Sequence, residues 1–239
     1  METINDLLGY ENMKIYQNPE MFSFSLDSIL LPNFVTITKK TQNILDIGTG
    51  NAPIPLILSR KTNAKITAVE IQKDVYELAK KTIKHNKLEN QINLIHADIK
   101  QIYQTMQPNY YDVITCNPPY FKVTNSSNIN KNDYKTIARH EIELTLDTLC
   151  QIAKKLLKND GSFAVVHRPE RLSEILETMN KYNLIPKKIM FIHPKENHNA
   201  NIVLIESKLN ANKGLKVLPP LIAHTEDGKY TQEIKKYFK

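Results

Sequence analysis

Apolar residues along this chain fall into two patterns. Some form short, nearly unbroken runs, and others recur every third or fourth position. The unbroken runs predict strands and the spaced ones predict helices. Asn43–Ile47 (NILDI) is a short apolar strand that ends in Gly-Thr-Gly. Pro53 and Pro55 suit the first turn of a helix reaching about Arg60, because proline presets the helical φ where N–H groups are unpaired anyway. Lys65–Glu70 is a second strand. Gln72–Asn86 is a helix with Val75, Leu78, Ala79 and Ile83 on one face. Ile92–His96 and Tyr111–Cys116 are the third and fourth strands. From Glu141 to Lys158 a helix places Ile142, Leu146, Leu149, Ala153 and Leu156 on one side, and Gly161 after Asn159-Asp160 is its expected stop. Ser162–His167 is a fifth strand. Pro169 opens a helix with Leu172, Ile175, Leu176 and Met179 inward. Ile185–His193 and Asn201–Lys208 are the last two strands, and their short polar connection permits antiparallel pairing.

Strands separated by helices predict an α/β fold, a doubly wound, mostly parallel sheet of seven strands with an antiparallel last strand. The 239 residues are enough for one domain of this kind, and no Gly/Ser linker divides them. The expected organisation is a single domain over 1–239, with a core over 41–208. An N-terminal cap segment (1–40) and a basic tail (209–239) stand outside the alternation. From Ser207 onward seven lysines face Glu226, Asp227 and Glu233.

Composition narrows the class further. Charged residues make up 24% and hydrophobic ones 41%, an ordinary globular balance that excludes a wholly disordered or collagen-like chain. The best apolar run, Ser28 to Val35, is interrupted by Pro32 and Asn33, so no membrane span is expected. METINDLLGY lacks the apolar core of an export signal. Cys116 and Cys150 form no CxxC pair and the seven histidines show no zinc spacing, so neither a disulfide framework nor a metal site is expected. The expected setting is reducing cytoplasm and the expected state a monomer. A net charge of +7 fits a polyanionic partner or a lysine-rich solvated surface.

Open α/β sheets bind ligands beyond the carboxyl ends of their strands. The first such end reads Asp46-Ile47-Gly48-Thr49-Gly50, and the next ends in Glu70. Glycines let the backbone turn tightly and approach a ligand, and a carboxylate at Glu70 can accept both hydroxyls of a ribose. Three readings are open here: S-adenosyl-L-methionine, a dinucleotide, or a plain strand–turn–helix corner. The dinucleotide pattern wants a third glycine where Pro53 stands, and Asp46 aims a negative charge toward the place of a pyrophosphate. That favours a ligand carrying a cation and no phosphate. Asp98, after the third strand, has two readings: acceptor for an adenine amino group, or helix N-cap.

Asn117-Pro118-Pro119-Tyr120 ends the fourth strand. Two prolines fix φ, remove two donors and hold the preceding residues extended. The resulting stiff turn can present the Asn117 amide oxygen and the Pro118 carbonyl to one NH₂ group. Tyr120 offers a flat face for a base. Alone, the tetrapeptide is equally a rigid turn with an exposed tyrosine. Joined to Asp46–Gly50, Glu70 and Asp98 at the right strand ends, it points to chemistry on an exocyclic amine.

DIGTGN, VEIQ, HADI and NPPY together resemble the motifs of class I amino methyltransferases. Within that group the chain most resembles the bacterial tRNA(Val) adenine-37 N6-methyltransferases, in FSFSLDSILL (Phe22–Leu31), Ala138-Arg139-His140-Glu141 and HPKENHNANIVLIE. The resemblance implies strand order 3-2-1-4-5-7-6, S-adenosylmethionine as cofactor and the anticodon loop of a tRNA as partner. It implies cofactor contacts at Asp46, Gly48, Gly50, Glu70, Asp98, Ile99 and Asn117. It assigns catalysis to Asn117, Pro118 and Tyr120, and substrate contacts to Pro119, Tyr120 and Phe121. The departure is Ala52-Pro53, where many relatives carry glycine; this is expected to narrow the methionine side of the pocket. Glutamine methyltransferases share NPPY but carry a helical domain before the glycine loop, and only 45 residues precede Asp46 here. DNA adenine methyltransferases need a separate recognition domain. An anticodon loop already exposes unstacked bases, so a compact protein suffices. A non-catalytic RNA-binding module and a nicotinamide oxidoreductase are the readings from other classes. Weaker features are Phe22–Asp27, a fold-over segment or ordinary cap; the polar loop Asn125–Lys135; the tail residues Lys229, Tyr230, Lys235, Lys236 and Tyr237; and His193, Lys195 and His198 in the last hairpin.

Overall fold

The computed structural model describes residues 2–10, 12–18, 25–118 and 144–238. Two short strands, β1 (Thr3–Asp6) and β2 (Lys14–Gln17), form an antiparallel ribbon and precede helix α1 (Leu26–Phe34). The alternating core follows: β3 (Asn43–Ile47), α2 (Pro53–Lys61), β4 (Lys65–Glu70), α3 (Lys73–His85), β5 (Ile92–His96), α4 (Ile99–Ile102) and β6 (Tyr111–Cys116). After the segment outside the described residues come α5 (Leu146–Leu156), β7 (Leu157–His167), α6 (Leu172–Lys181), β8 (Leu184–His193) and β9 (Ile202–Leu209). Two-residue strands β10 (Lys216–Val217) and β11 (Leu221–Ile222) and a short helix α7 (Gln232–Lys235) close the chain.

The sheet runs β10-β8-β9-β7-β6-β3-β4-β5, with β11 also on β8. Its seven long strands have the expected order 3-2-1-4-5-7-6 when counted from β3, and β9 is antiparallel to both neighbours. Side-chain alternation along each strand feeds two cores. Leu45, Ile47, Ile114, Cys116, Phe163 and Val165 face α5 and α6. Ile44, Ile66, Ala68, Val113, Ala164 and Val166 face α1, α2 and α3. Burial of both faces is why these strands are mostly apolar.

Three features differ from the sequence expectation. The sheet has nine strands because the tail adds β10 and β11, parallel to β8, at its edge. The tail is thus docked: Tyr230 stacks on His224 at 4.9 Å and meets Phe238 edge-on. Second, the N-terminal segment, for which the apolar pattern predicts no elements, contains β1, β2 and α1, and α1 continues through Pro32. Ile29, Leu30, Leu31 and Phe34 are all buried, and this burial outweighs the one backbone bond that proline removes. Third, Gly161 lies within β7, not at a helix stop. α5 ends at Leu156, and the surplus residues before Ser162 form an irregularity opposite Tyr111 and Val113, with Asp160 left-handed (φ 60°). No helix among the described residues is long and apolar enough to cross a membrane.

Candidate active site

β3 lies between β4 and β6, so their three carboxyl ends meet at one edge of the sheet. The loop leaving β3 is tied to β4: Gly48 N and Thr49 N donate to Val69 O at 2.9 and 3.0 Å, and Gly50 N donates to Glu70 Oε2 at 2.9 Å. Gly48 and Gly50 have φ of +66° and +60°, and a Cβ on either would meet nothing within 4 Å. The left-handed backbone accounts for glycine there, and the open space beside it is room for a ligand. Asn51, 4% exposed, donates from Nδ2 to Tyr16 O at 2.9 Å and ties β2 to this loop.

Asp46 is fully buried. Its Oδ1 accepts from Thr115 Oγ1 at 2.6 Å, a contact set by the β3–β6 register that pairs these two residues. Its Oδ2 and Thr49 Oγ1 have no hydrogen-bond partner among the described residues. Burial pushes the Asp46 carboxyl up to about 7, partly offset by the nearby Thr115 and Thr49 hydroxyls and reinforced by the charge of Glu70. A buried acid with one oxygen unmatched, beside a glycine turn, suits an ammonium ligand. Prolines at the first and third positions of α2 remove two of its leading N–H donors, so this helix start is poor at holding phosphate. The dinucleotide reading loses its main support here. Ala52 sits at the helix start in the left-handed region (φ 72°) and is completely buried.

Glu70 is also buried. Its Oε1 accepts from Gln72 N at 2.8 Å and its Oε2 from Gly50 N, so the carboxylate is fixed at the edge with a further lone pair on each oxygen. One strand further out, Asp98 caps α4 through Oδ1, accepting from Lys100 N at 2.9 Å, while Oδ2 lies 3.8 Å from Lys100 Nζ. The capping role is present, and Oδ2 makes only a long ionic contact beside it. Ile99 is buried in the core facing α5 and α6.

At the end of β6, Asn117 Nδ2 donates to Ser28 Oγ of α1 at 3.2 Å. Asp46, Gly48, Gly50, Glu70, Asn117 and Pro118 are therefore brought to one edge, with Asp98 beside them. Pro119, Tyr120, Phe121, Arg139, His140 and the Asn125–Lys135 loop lie outside the described residues, as do Phe22 to Phe24. The sequence reading missed Thr115, Asn51 and Ser28. A signal existed for Thr115, a polar residue in an apolar strand two positions before Asn117. Asn51 and Ser28 lie within DIGTGN and FSFSLDSILL, but their partners are 35 and 89 residues away, so the motifs gave them no role of their own. The last hairpin is tied within itself and to the tail: His193 Nδ1 lies 2.6 Å from His198 O, and Lys195 Nζ donates to Glu226 O.

A sheet of this order, with a glycine turn after its central strand and a buried acid after the next, defines a Rossmann-like methyltransferase. Solved structures agree on the fold. A predicted O-methyltransferase from Agrobacterium tumefaciens superposes with a TM-score of 0.70 over 89% of this chain and 95% of its own, at 17% identity. Precorrin-6y C5,15-methyltransferase from Geobacter metallireducens does so with 0.59 over 86% and 98%, at 12%. The chain belongs to the methyltransferase small domain family, whose model matches residues 12–191. Among curated relatives, tRNA1(Val) (adenine(37)-N6)-methyltransferase of Phocaeicola vulgatus is 29% identical over 87% of this chain and 86% of its own. The protein of the same name from Christiangramia forsetii is 28% identical over 97% and 95%.

Proposed function

We propose that this protein transfers a methyl group from S-adenosylmethionine to the exocyclic N6 of an adenosine in tRNA, at position 37 in the anticodon loop of tRNA(Val), in the cytoplasm. The observation that carries the reading is the placement of Asn117-Pro118 at the end of β6, directly beside the glycine turn of β3. The named relatives supply the substrate, since their printed names specify adenine 37 of tRNA1(Val).

The buried polar groups fit the cofactor. In this reading Asp46 and Thr49 face its ammonium, Gly48 and Gly50 leave room for its chain, Glu70 accepts the ribose hydroxyls and Asp98 Oδ2 the adenine amine. When bound, S-adenosylmethionine supplies a methyl carbon on a cationic sulfur that keeps the electron pair as the bond breaks. The Asn117 amide oxygen and the Pro118 carbonyl accept the two N–H bonds of the target amine. Those bonds raise electron density on nitrogen and hold it as it turns tetrahedral. Its lone pair forms the new C–N bond, and the resulting ammonium releases one proton to water. The resemblance gives the contacts to the base to Pro119, Tyr120 and Phe121, which lie outside the described residues.

The test is incubation with labelled S-adenosylmethionine and unmodified tRNA, followed by nucleoside mass analysis. N6-methyladenosine is the expected product; methylguanosine, dimethyladenosine or labelled protein would redirect the assignment. Asn117→Ala should slow single-turnover transfer by about 10²-fold, as loss of one aligned transition-state partner does. An unchanged rate in that variant removes Asn117 from the chemistry.

A further inference from the structure

The Asn117 side chain can serve the proposed reaction in only one of its two amide orientations. Oδ1 toward the target amine accepts a hydrogen; Nδ2 in the same place sets donor against donor and repels it. The two orientations are nearly equal in shape, so packing alone does not choose between them. A polar neighbour on the far side of the amide pins its plane, and Ser28 is there; its hydroxyl can accept from Nδ2 or donate to Oδ1, and here it accepts. Asn117 Nδ2 donates to Ser28 Oγ at 3.2 Å, across 89 residues of sequence. With the nitrogen committed to Ser28, the amide oxygen occupies the opposite end of the carboxamide plane.

Ser28 is itself held firmly. It lies in the first turn of α1, 6% exposed, with its N–H bonded to Ser25 O at 3.1 Å. The next three residues, Ile29, Leu30 and Leu31, are completely buried. The far end of the helix is tied down as well. Lys61 Nζ of α2 donates to Pro32 O at 2.8 Å, and Asn33 Nδ2 donates to Tyr237 O at 3.0 Å. A hydroxyl on an anchored helix is a fixed reference for a side chain on a strand end, because neither partner needs reordering on substrate binding.

We propose that Ser28 is a positioning residue for methyl transfer. Its hydroxyl pins the plane of the Asn117 carboxamide, with Nδ2 on Ser28 and Oδ1 at the opposite end. The inference rests on the role given to Asn117 in the proposed function. It predicts that Ser28 acts on the rate through Asn117 and on nothing else.

The experiment is a double-variant cycle in the full-length protein, read as single-turnover transfer from labelled S-adenosylmethionine to unmodified tRNA(Val) transcript. Ser28→Ala should slow transfer about tenfold, the loss of one buried hydrogen bond's worth of alignment. Affinity for S-adenosylhomocysteine and the KM for tRNA should stay within about threefold of wild type. Ser28→Cys keeps the shape but accepts hydrogen bonds poorly, and should be slowed alike; it serves also if the alanine variant folds badly. In an Asn117→Ala background Ser28→Ala should cost nothing more, because the group it orients is gone. Three results overturn the proposal: wild-type rates in both Ser28 variants, losses that multiply in the double variant, or a loss confined to binding. If Asn117→Ala alone keeps its full rate, the reading of the corner fails first and takes this inference with it. Slow Asn117→Ala beside fast Ser28→Ala sinks the inference alone.

Discussion

Asp46 is an acid held completely out of contact with solvent. Its carboxyl is raised to about 7, mainly by burial, whereas an unfolded aspartate titrates near 4. Between those values the folded protein holds a proton that the unfolded chain has lost. Stability without cofactor therefore falls as pH rises from about 4 to about 7, and levels off above. Asp46→Asn keeps an oxygen for Thr115 and removes the charge. Its melting temperature without cofactor should exceed wild type at pH 8, with the gap closing toward pH 5. Thermal melts at four pH values decide this, and a gap that does not vary with pH would contradict it. The same variant should bind S-adenosylhomocysteine more weakly, because the ligand's ammonium loses its counter-charge. Asp46, Gly48, Gly50, Glu70 and Asn117 were legible in the sequence because each belongs to a contiguous motif at a strand end. Thr115 and Ser28 were not: one is selected by the register of β3 on β6, the other by the docking of a helix.

At the level of elements, the short strands of the parallel core were readable to the residue. Asn43–Ile47, Lys65–Glu70, Ile92–His96 and Tyr111–Cys116 are as expected, because a short apolar run bounded by polar turns has few alternatives. Irregular junctions were not readable. α1 was obscured by Pro32, whose local preference is overruled by burial of its neighbours. The α5–β7 junction was obscured by Asn159-Asp160-Gly161, which reads as a helix stop but sits inside β7. There the backbone is crowded: a Cβ on Gly161 would lie 2.8 Å from Lys158 O and 3.0 Å from Leu157 Cδ2. Lys158 O is backbone, so β7 itself would have to shift. Gly161→Ala should destabilise the protein by about 1–3 kcal/mol, read as a lower midpoint in urea unfolding. An unchanged midpoint would show that the irregularity yields freely.

At the level of the whole molecule, the two chain ends converge on α1. Asn33 Nδ2 and Tyr10 Oη both donate to Tyr237 O, and a Cβ on Gly9 would collide with Phe238. The sequence reading set both ends apart from the core, since neither carries the strand–helix alternation; only long-range packing joins them. Removing residues 236–239 should leave α1 and the β1–β2 ribbon open to protease while the sheet stays protected. Limited proteolysis with mass mapping reads this out, and equal resistance at both ends would contradict it. The contact also has a temporal side. Tyr10 and Asn33 emerge early in synthesis, while Tyr237 is added more than two hundred residues later. A growing polypeptide on the ribosome can thus assemble its methyl-donor crevice well before the clasp on α1 can close, and a translation product stopped a few codons early would lack that clasp.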